Sequence, residues 1–285
     1  MNVQWYPGHM TKAKRQMQED IKLVDLVIEL ADARVPDSSR NPDIDELGRN
    51  KARLILLNKA DLADPKYTDQ WTARLKEKGC FVLPVNARNN SGLKAVHAVI
   101  QEACREKIER DRRRGILNRP VRAMVVGIPN VGKSTFINSF AGKAAAKTGN
   151  KPGVTKGNQW IRLNKNVELL DTPGILWPKF EDPRVGMMLA YTGAVKENVI
   201  DLEELACFLM TLLHKHYPQA LLDRYQVEAP EDIPGWELLE LAGRKRGYLV
   251  SGGEVNLERM ARVLLDEFRG GKLGKFTLEM PEDYL

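Results

Sequence analysis

The stretch Gly127-Ile-Pro-Asn-Val-Gly-Lys-Ser134 constrains this chain more than any other. It has the form G-x-x-x-x-G-K-S, follows an apolar run at 121–126 and precedes a helical pattern at 133–140, so it reads as a strand–turn–helix. Gly127 and Gly132 allow a turn with the backbone N–H groups facing inward. With the N-terminus of the following helix, those groups form a site for phosphate oxygens. Contacts are expected from Asn130, Val131, Gly132, Lys133, Ser134 and Thr135, with Lys133 reaching the β- and γ-phosphates and Ser134 placing its hydroxyl on Mg²⁺. Phosphate binding alone does not distinguish adenine from guanine.

The first half of the chain supplies the frame for such a loop. Apolar runs at 23–31, 54–57, 81–85 and 121–126 read as buried strands, and the amphipathic stretches between them predict a parallel sheet with helices on both faces. One helix is predicted over 91–114, with Ser91 as its N-cap. Residues 158–163 and 167–170 predict a hairpin turned through Asn164-Lys165-Asn166. From about residue 184 helical periodicity takes over, at 202–213, 218–225, 236–243 and 256–268. The chain therefore divides into an α/β domain over 1–185 and a helical domain over 186–285.

Asn58-Lys59-Ala60-Asp61 follows the 54–57 strand and resembles the N-K-x-D motif of GTPases. The Asp61 carboxylate can accept from both N1–H and the exocyclic amine of guanine. Adenine offers neither donor and would leave a desolvated carboxylate unpaired. Asn58 is expected to hold the base and brace the phosphate loop, and the Lys59 stem to lie across the ring. Asn86-Ala87-Arg88 resembles S-A-K/R, with Ala87 offering a backbone N–H to guanine and Asn86 replacing the usual serine.

Asp171-Thr-Pro-Gly174 resembles D-x-x-G: Asp171 is expected to hold a water on Mg²⁺, and the Gly174 N–H to meet the γ-phosphate. Thr155, in Lys151-Pro-Gly-Val-Thr155, is the candidate second hydroxyl ligand of Mg²⁺. Lys133, Thr155 and Gly174 are thus candidate catalytic residues, Lys133 and Gly174 through the γ-phosphate and Thr155 through Mg²⁺. The base-reading motifs come before the phosphate loop, the reverse of the usual order. A circular permutation preserves a compact fold when chain ends lie close. The expected class is α/β: a circularly permuted P-loop GTPase fold, doubly wound on a mostly parallel sheet, followed by a small all-α domain.

The permuted order, the opening WYPGHM, the DARVP segment, NKADL, GIPNVGKST and DTPGIL together resemble the ribosome biogenesis GTPase A family of bacteria, over the whole chain. That resemblance implies hydrolysis of GTP to GDP during late maturation of the large (50S) ribosomal subunit, with contacts to rRNA rather than DNA. Ile175 stands where many GTPases carry a water-orienting glutamine. The resemblance makes His9, of the PGHM motif, a candidate for that task; it could instead belong to an N-terminal segment that packs or binds RNA. Asn130 resembles the asparagine that holds K⁺ near the phosphates in related GTPases. A nucleotide-gated RNA or protein adaptor with incidental hydrolysis is the alternative that Ile175 leaves open.

Composition bounds the setting. The net charge of +6 is carried partly in clusters at 105–119, 244–246 and 269–275, which can track a phosphate backbone or simply form solvated helix faces. The three cysteines are distant and odd in number, which argues against a disulfide framework and for a reducing cytoplasm. No long apolar run suggests a membrane span, and nothing suggests an obligate dimer, so a monomer is expected. Trp160, Trp177 and Trp236 read as packing anchors.

Overall fold

The computed structural model describes residues 8–117, 119–142, 159–174, 176, 180, 182–197 and 200–284, with side chains from Lys14 onward. Six strands form one sheet: β1 (Leu26–Asp32), β2 (Ala52–Asn58), β3 (Phe81–Pro84), β4 (Val121–Gly127), β5 (Gln159–Arg162) and β6 (Val167–Asp171). Their spatial order is β3-β2-β1-β4-β6-β5, parallel throughout except for β5 at the edge.

All seven residues of β1 are buried, because helices cover both faces of the sheet. Alternate side chains point to opposite faces. Leu26, Ile28, Leu30, Leu54, Leu56, Ala123 and Val125 pack with α4 (Leu93–Ala103) and α6 (Lys133–Ala141). On the other face, Val27, Met124, Val126 and Leu170 meet α1 (Gly8–Asp20), while Ala31, Ile55, Leu57 and Val82 meet Trp71 and Leu75 of α3 (Pro65–Glu77). Short helix α2 (Asp43–Leu47) adds Ile44 to the α1 side. The hairpin turn is closed by Asn164, whose side-chain oxygen accepts from Asn166 N–H at 2.8 Å and Val167 N–H at 3.0 Å.

Two local expectations need correction. Ser91 is not the N-cap of α4; Gly92 is, with φ of +78°. A Cβ at Gly92 would stand 2.6 Å from the Pro84 carbonyl, so the chain needs glycine there, and Ser91 is used instead in a bridge to Asn86. Nor is 91–114 one helix: α4 ends at Ala103 and α5 (Arg105–Arg113) begins after Cys104, whose ψ of 13° departs from helical values.

The second half is helical: α7 (Pro183–Tyr191), α8 (Leu202–His216), α9 (Pro218–Tyr225), α10 (Gly235–Lys245) and α11 (Leu257–Gly270). Asp182, Asp201 and Asn256 cap α7, α8 and α11 through their side chains. Leu205, Leu209, Leu213, Leu239, Leu264 and Phe268 are among the side chains of a second core. Helix α7 belongs to both cores: Leu189 faces the sheet, while Met188, Ala190 and Tyr191 face the helices. Residue 186, where the sequence reading begins the second domain, lies inside α7.

After α11 the chain returns to the sheet. Phe276 N–H donates to Leu62 O (3.0 Å), Leu278 N–H to Arg34 O (2.8 Å) and Trp71 Nε1–H to Glu279 O (2.8 Å). Two tryptophans read as anchors are surface residues: Trp160 is 43% and Trp236 54% exposed, and Arg122 lies over the Trp160 ring at 5.2 Å. Trp177 lies outside the described residues. Part of the basic clusters turns inward. Arg246 and Arg224 pair with Glu267, and Arg269 pairs with Glu197 at 2.6 Å while donating to Ala190 O and Tyr191 O.

Candidate functional site

In a parallel sheet that winds outward in both directions, a crevice opens where the winding reverses, at the carboxyl ends of the strands. Here the reversal lies between β1 and β4, so the ends of β1, β2, β4 and β6 converge. Their loops are the ones singled out in sequence.

The phosphate loop leaves β4 at Gly127, where a Cβ would stand 2.9 Å from Val131 Cγ1 and 3.0 Å from Leu30 O. It passes through Asn130 (φ +60°) and Gly132 (φ +98°) into α6. Gly132 is the N-cap and no side chain caps the helix, so the first-turn N–H groups are left for an external acceptor. A bare helix start, left-handed turns and a nearly buried Lys133 fit a phosphate. Val131, Ser134 and Thr135 surround that same start.

Lys133 Nζ meets Asp171 Oδ1 at 2.5 Å, both side chains being almost fully buried. Burial pushes the lysine pKa down, opposed by the Asp171 charge. Asp171 ends β6, and Thr172 anchors the turn by donating to Val125 O (2.8 Å). Gly174 then approaches the phosphate loop so closely that a Cβ would stand 3.2 Å from Pro129 N and Cα. Hard oxygen donors, Ser134 Oγ and the Asp171 carboxylate, sit at the phosphate loop and at the adjoining strand end, a donor set suited to Mg²⁺.

Asn58 joins three loops. Its Nδ2 donates to Val131 O at 2.8 Å, and its Oδ1 accepts from Ala87 N–H at 3.0 Å. Asn58 therefore braces the base-reading loops against the phosphate loop, as expected, with a second N–H of its amide still available to a ligand. The Asn86 side chain shapes the next loop: its Oδ1 accepts from the N–H groups of Arg88 (2.9 Å) and Asn89 (3.3 Å). Ser139 Oγ ties α6 to the same loop through Ala87 O at 2.6 Å.

A cleft of about 280 Å³ lies between these loops, lined by Ala60, Asp61, Asn86, Asn89 and Ser91 among others. Asp61 is exposed within it, available to a ligand. Lys59, at φ +59°, sends its ammonium to Asn130 O and Asp32 Oδ2, both at 2.9 Å. Its methylene stem thus runs from the loop after β2 to the phosphate loop. Sequence reasoning missed Asp32 and Arg34; the DARVP segment was noted, but nothing in it announces a contact to Lys59. Arg34 forms a two-pronged pair with Asp32, both bonds at 2.9 Å. Burial raises the Asp32 pKa, but Arg34 and Lys59 outweigh it and hold the carboxyl well below the usual range.

Asn130 Nδ2 donates to Gly193 O at 2.6 Å, which uses the donor end of its amide and not the acceptor end a cation would need. Thr155 and Ile175 lie outside the described residues, as does the side chain of His9, whose backbone is in α1.

The family model described as "50S ribosome-binding GTPase" matches residues 122–230. The match begins in β4 and leaves the NKAD and NAR loops ahead of it, as the permuted order requires. The chain is 51% identical to the ribosome biogenesis GTPase A of Bacillus cereus, covering 100% of this chain and 96% of that protein. It is 36% identical to the mitochondrial ribosome-associated GTPase 1 of Mus musculus, covering 97% and 90%. Among solved structures, GNP-bound YlqF from T. maritima is similar at a TM-score of 0.64 and 30% identity, covering 95% of this chain and 99% of that one.

Proposed function

The chain belongs to the ribosome biogenesis GTPase A family, and on that footing we propose that it hydrolyses GTP on precursors of the large ribosomal subunit during their late maturation. The observation that carries the reading is the Asn58 bridge, which sets the guanine-reading loops against the phosphate loop in one crevice.

Each residue then has a task. Asp61 accepts from guanine at the base cleft, beside Ala60, Asn86, Ala87 and Arg88. The uncapped start of α6, with Asn130 to Thr135, receives the phosphates. Lys133 and Asp171 neutralise each other. With GTP and Mg²⁺ bound, Lys133 would pair with the γ-phosphate and Asp171 would hold a water on the metal, so no buried charge would be left alone. Bound Mg²⁺ would offset the charge that develops on the phosphates. Ser134 and Thr155 would supply hydroxyls to it, and the Gly174 N–H meets the γ-phosphate, a role supported by the close approach of Gly174 to Pro129 in the phosphate loop. His9 orients the attacking water, since Ile175 cannot hydrogen-bond through its side chain. Asn130 offers the acceptor end of its amide to K⁺.

We further propose an α/β domain over 1–185 and a helical domain over 186–285 that contacts rRNA, in a monomeric cytoplasmic protein. Support comes from the second core and from α10, which carries exposed Trp236 in its first turn and Arg244 and Lys245 in its last. Steady-state GTP hydrolysis in potassium and in sodium buffer, with large or small ribosomal subunits, tests the proposal. Strong stimulation by large subunits alone, greater in potassium, is expected. Tight GTP binding with no stimulation would instead favour the gated adaptor that Ile175 suggests.

A further inference from the structure

The ammonium of Lys59 has two acceptors, and both are held from the helical half of the molecule. The first, Asp32, is fully buried at the end of β1. Arg34 grips it through Nε and Nη2, and the Arg34 N–H adds a third bond at 3.1 Å. The remaining Nη1 donates to Phe268 O at 3.2 Å, in the last turn of α11, and the guanidinium lies over the Phe268 ring at 5.1 Å. Arg34 O in turn accepts from Leu278 N–H. The second acceptor is Asn130 O, whose own side chain is tied to Gly193 O just beyond α7. That end of α7 is tied to α11 by Arg269, which donates to Ala190 O and Tyr191 O.

A lysine stem that stacks on a base must be ordered, and a free lysine loses its rotamer freedom on binding. An anchor already in place removes that cost from the binding step. We infer that Asp32 and Arg34 are positioning residues for the guanine nucleotide: Asp32 fixes the Lys59 ammonium, Arg34 fixes Asp32, and α11 fixes Arg34. The helical half is thereby a structural support of the base-reading loop. This rests on the reading of Asn58 to Asp61 as the guanine loop.

The test uses the full chain, fluorescent mant-GDP, and the variants Asp32→Asn, Arg34→Lys and Lys59→Met, alone and combined. Lys59→Met keeps the stem and removes the ammonium. Asp32→Asn should raise the Kd for mant-GDP about tenfold, the scale of one charged hydrogen bond. Arg34→Lys keeps the charge but cannot grip both carboxylate oxygens, and should raise it severalfold. In the Lys59→Met background both effects should shrink to within about twofold, because the residue they act through has lost its charge. Effects that persist at full size in that background would overturn the inference, as would an unchanged Kd in folded single variants. Should Asp32→Asn fail to fold, Arg34→Lys and its double variant carry the same comparison. A wild-type chain that binds mant-ADP as tightly as mant-GDP would instead overturn the guanine-loop reading itself.

Discussion

Replacing Glu279 by glutamine should remove a pH dependence from the stability of this protein. Glu279 is 1% exposed. Its carboxylate accepts from Asp37 N–H at 2.7 Å and Ser38 N–H at 3.1 Å, and the Tyr284 hydroxyl donates to it at 3.0 Å. Burial pushes the carboxyl up from an ordinary 4.5 to about 7, against the opposing pull of the Ser38 and Asp37 hydrogen bonds. The folded state therefore holds a proton that the unfolded state has released. Between those two values the folded state binds more protons, so stability falls as pH rises. The contribution is complete below 4.5 and gone above about 7. Between pH 5.5 and 8 the loss comes to about 2 kcal/mol. Glutamine keeps an oxygen for the two N–H groups and cannot titrate. Urea unfolding at a series of pH values, followed by tryptophan fluorescence, reads the difference directly, since Trp71 donates to Glu279 O. The wild type should lose about 2 kcal/mol over that range relative to Glu279→Gln. Parallel curves for the two proteins would refute the reasoning and show that Glu279 is ionised in the fold.

Three further outcomes follow from the crevice. Asn58→Ala leaves the buried Val131 O and Ala87 N–H without their partner; it should cost about 2–4 kcal/mol in urea unfolding and weaken mant-GDP binding as well. Asp61→Asn should do the opposite in kind: Asp61 is exposed, so melting should be unchanged, while GDP affinity by calorimetry falls about 100-fold or more. Gly174→Ala sets a methyl against the backbone of Pro129 at 3.2 Å; single-turnover GTP hydrolysis should fall by about 100-fold with GDP binding retained, because only the γ-phosphate side is displaced.

What the sequence disclosed is what local chemistry dictates. Gly127 and Gly132 are needed wherever a loop turns in this way, and the strands of a doubly covered sheet are apolar for most of their length, so both could be read directly. Glu29 marks the limit. It lies fully buried in the central strand, where a charge is unexpected, and is made possible by Arg40 and Arg53 from later segments. The Arg34–Phe268 contact joins residues 234 positions apart, and Glu279 meets Ser38 across 241; no periodicity or short motif encodes such pairs. The inward turn of Arg246 and Arg269 was hidden for the same reason, since a basic cluster in sequence does not say where its carboxylate partners lie. Ser91 was misplaced because the helix start was decided by the Pro84 carbonyl passing beside Gly92, a contact between separate strand and loop ends.

The permuted order changes none of the crevice, because each loop is placed by its strand's position in the sheet and not by when the chain reaches it. It does change what each loop is continuous with. Asp171–Gly174 leads within nine residues to Pro183, the first residue of α7. The other end of α7 is tied to the phosphate loop by the Asn130 to Gly193 bond. Both ends of this helix therefore adjoin the loops of the crevice, and its C-terminal half shares the second core with α8 and α11 through Met188, Ala190 and Tyr191. A γ-phosphate that draws Gly174 inward pulls on only one of those ends. A buried helix responds to such a pull by pivoting as a body, since its packed side chains resist bending. The helices beyond it should then take different orientations with a non-hydrolysable GTP analogue and with GDP, and the difference should vanish in Gly174→Ala. Small-angle scattering on the two nucleotide states measures this; identical profiles for the wild type would mean that α7 absorbs the movement of the loop without passing it on.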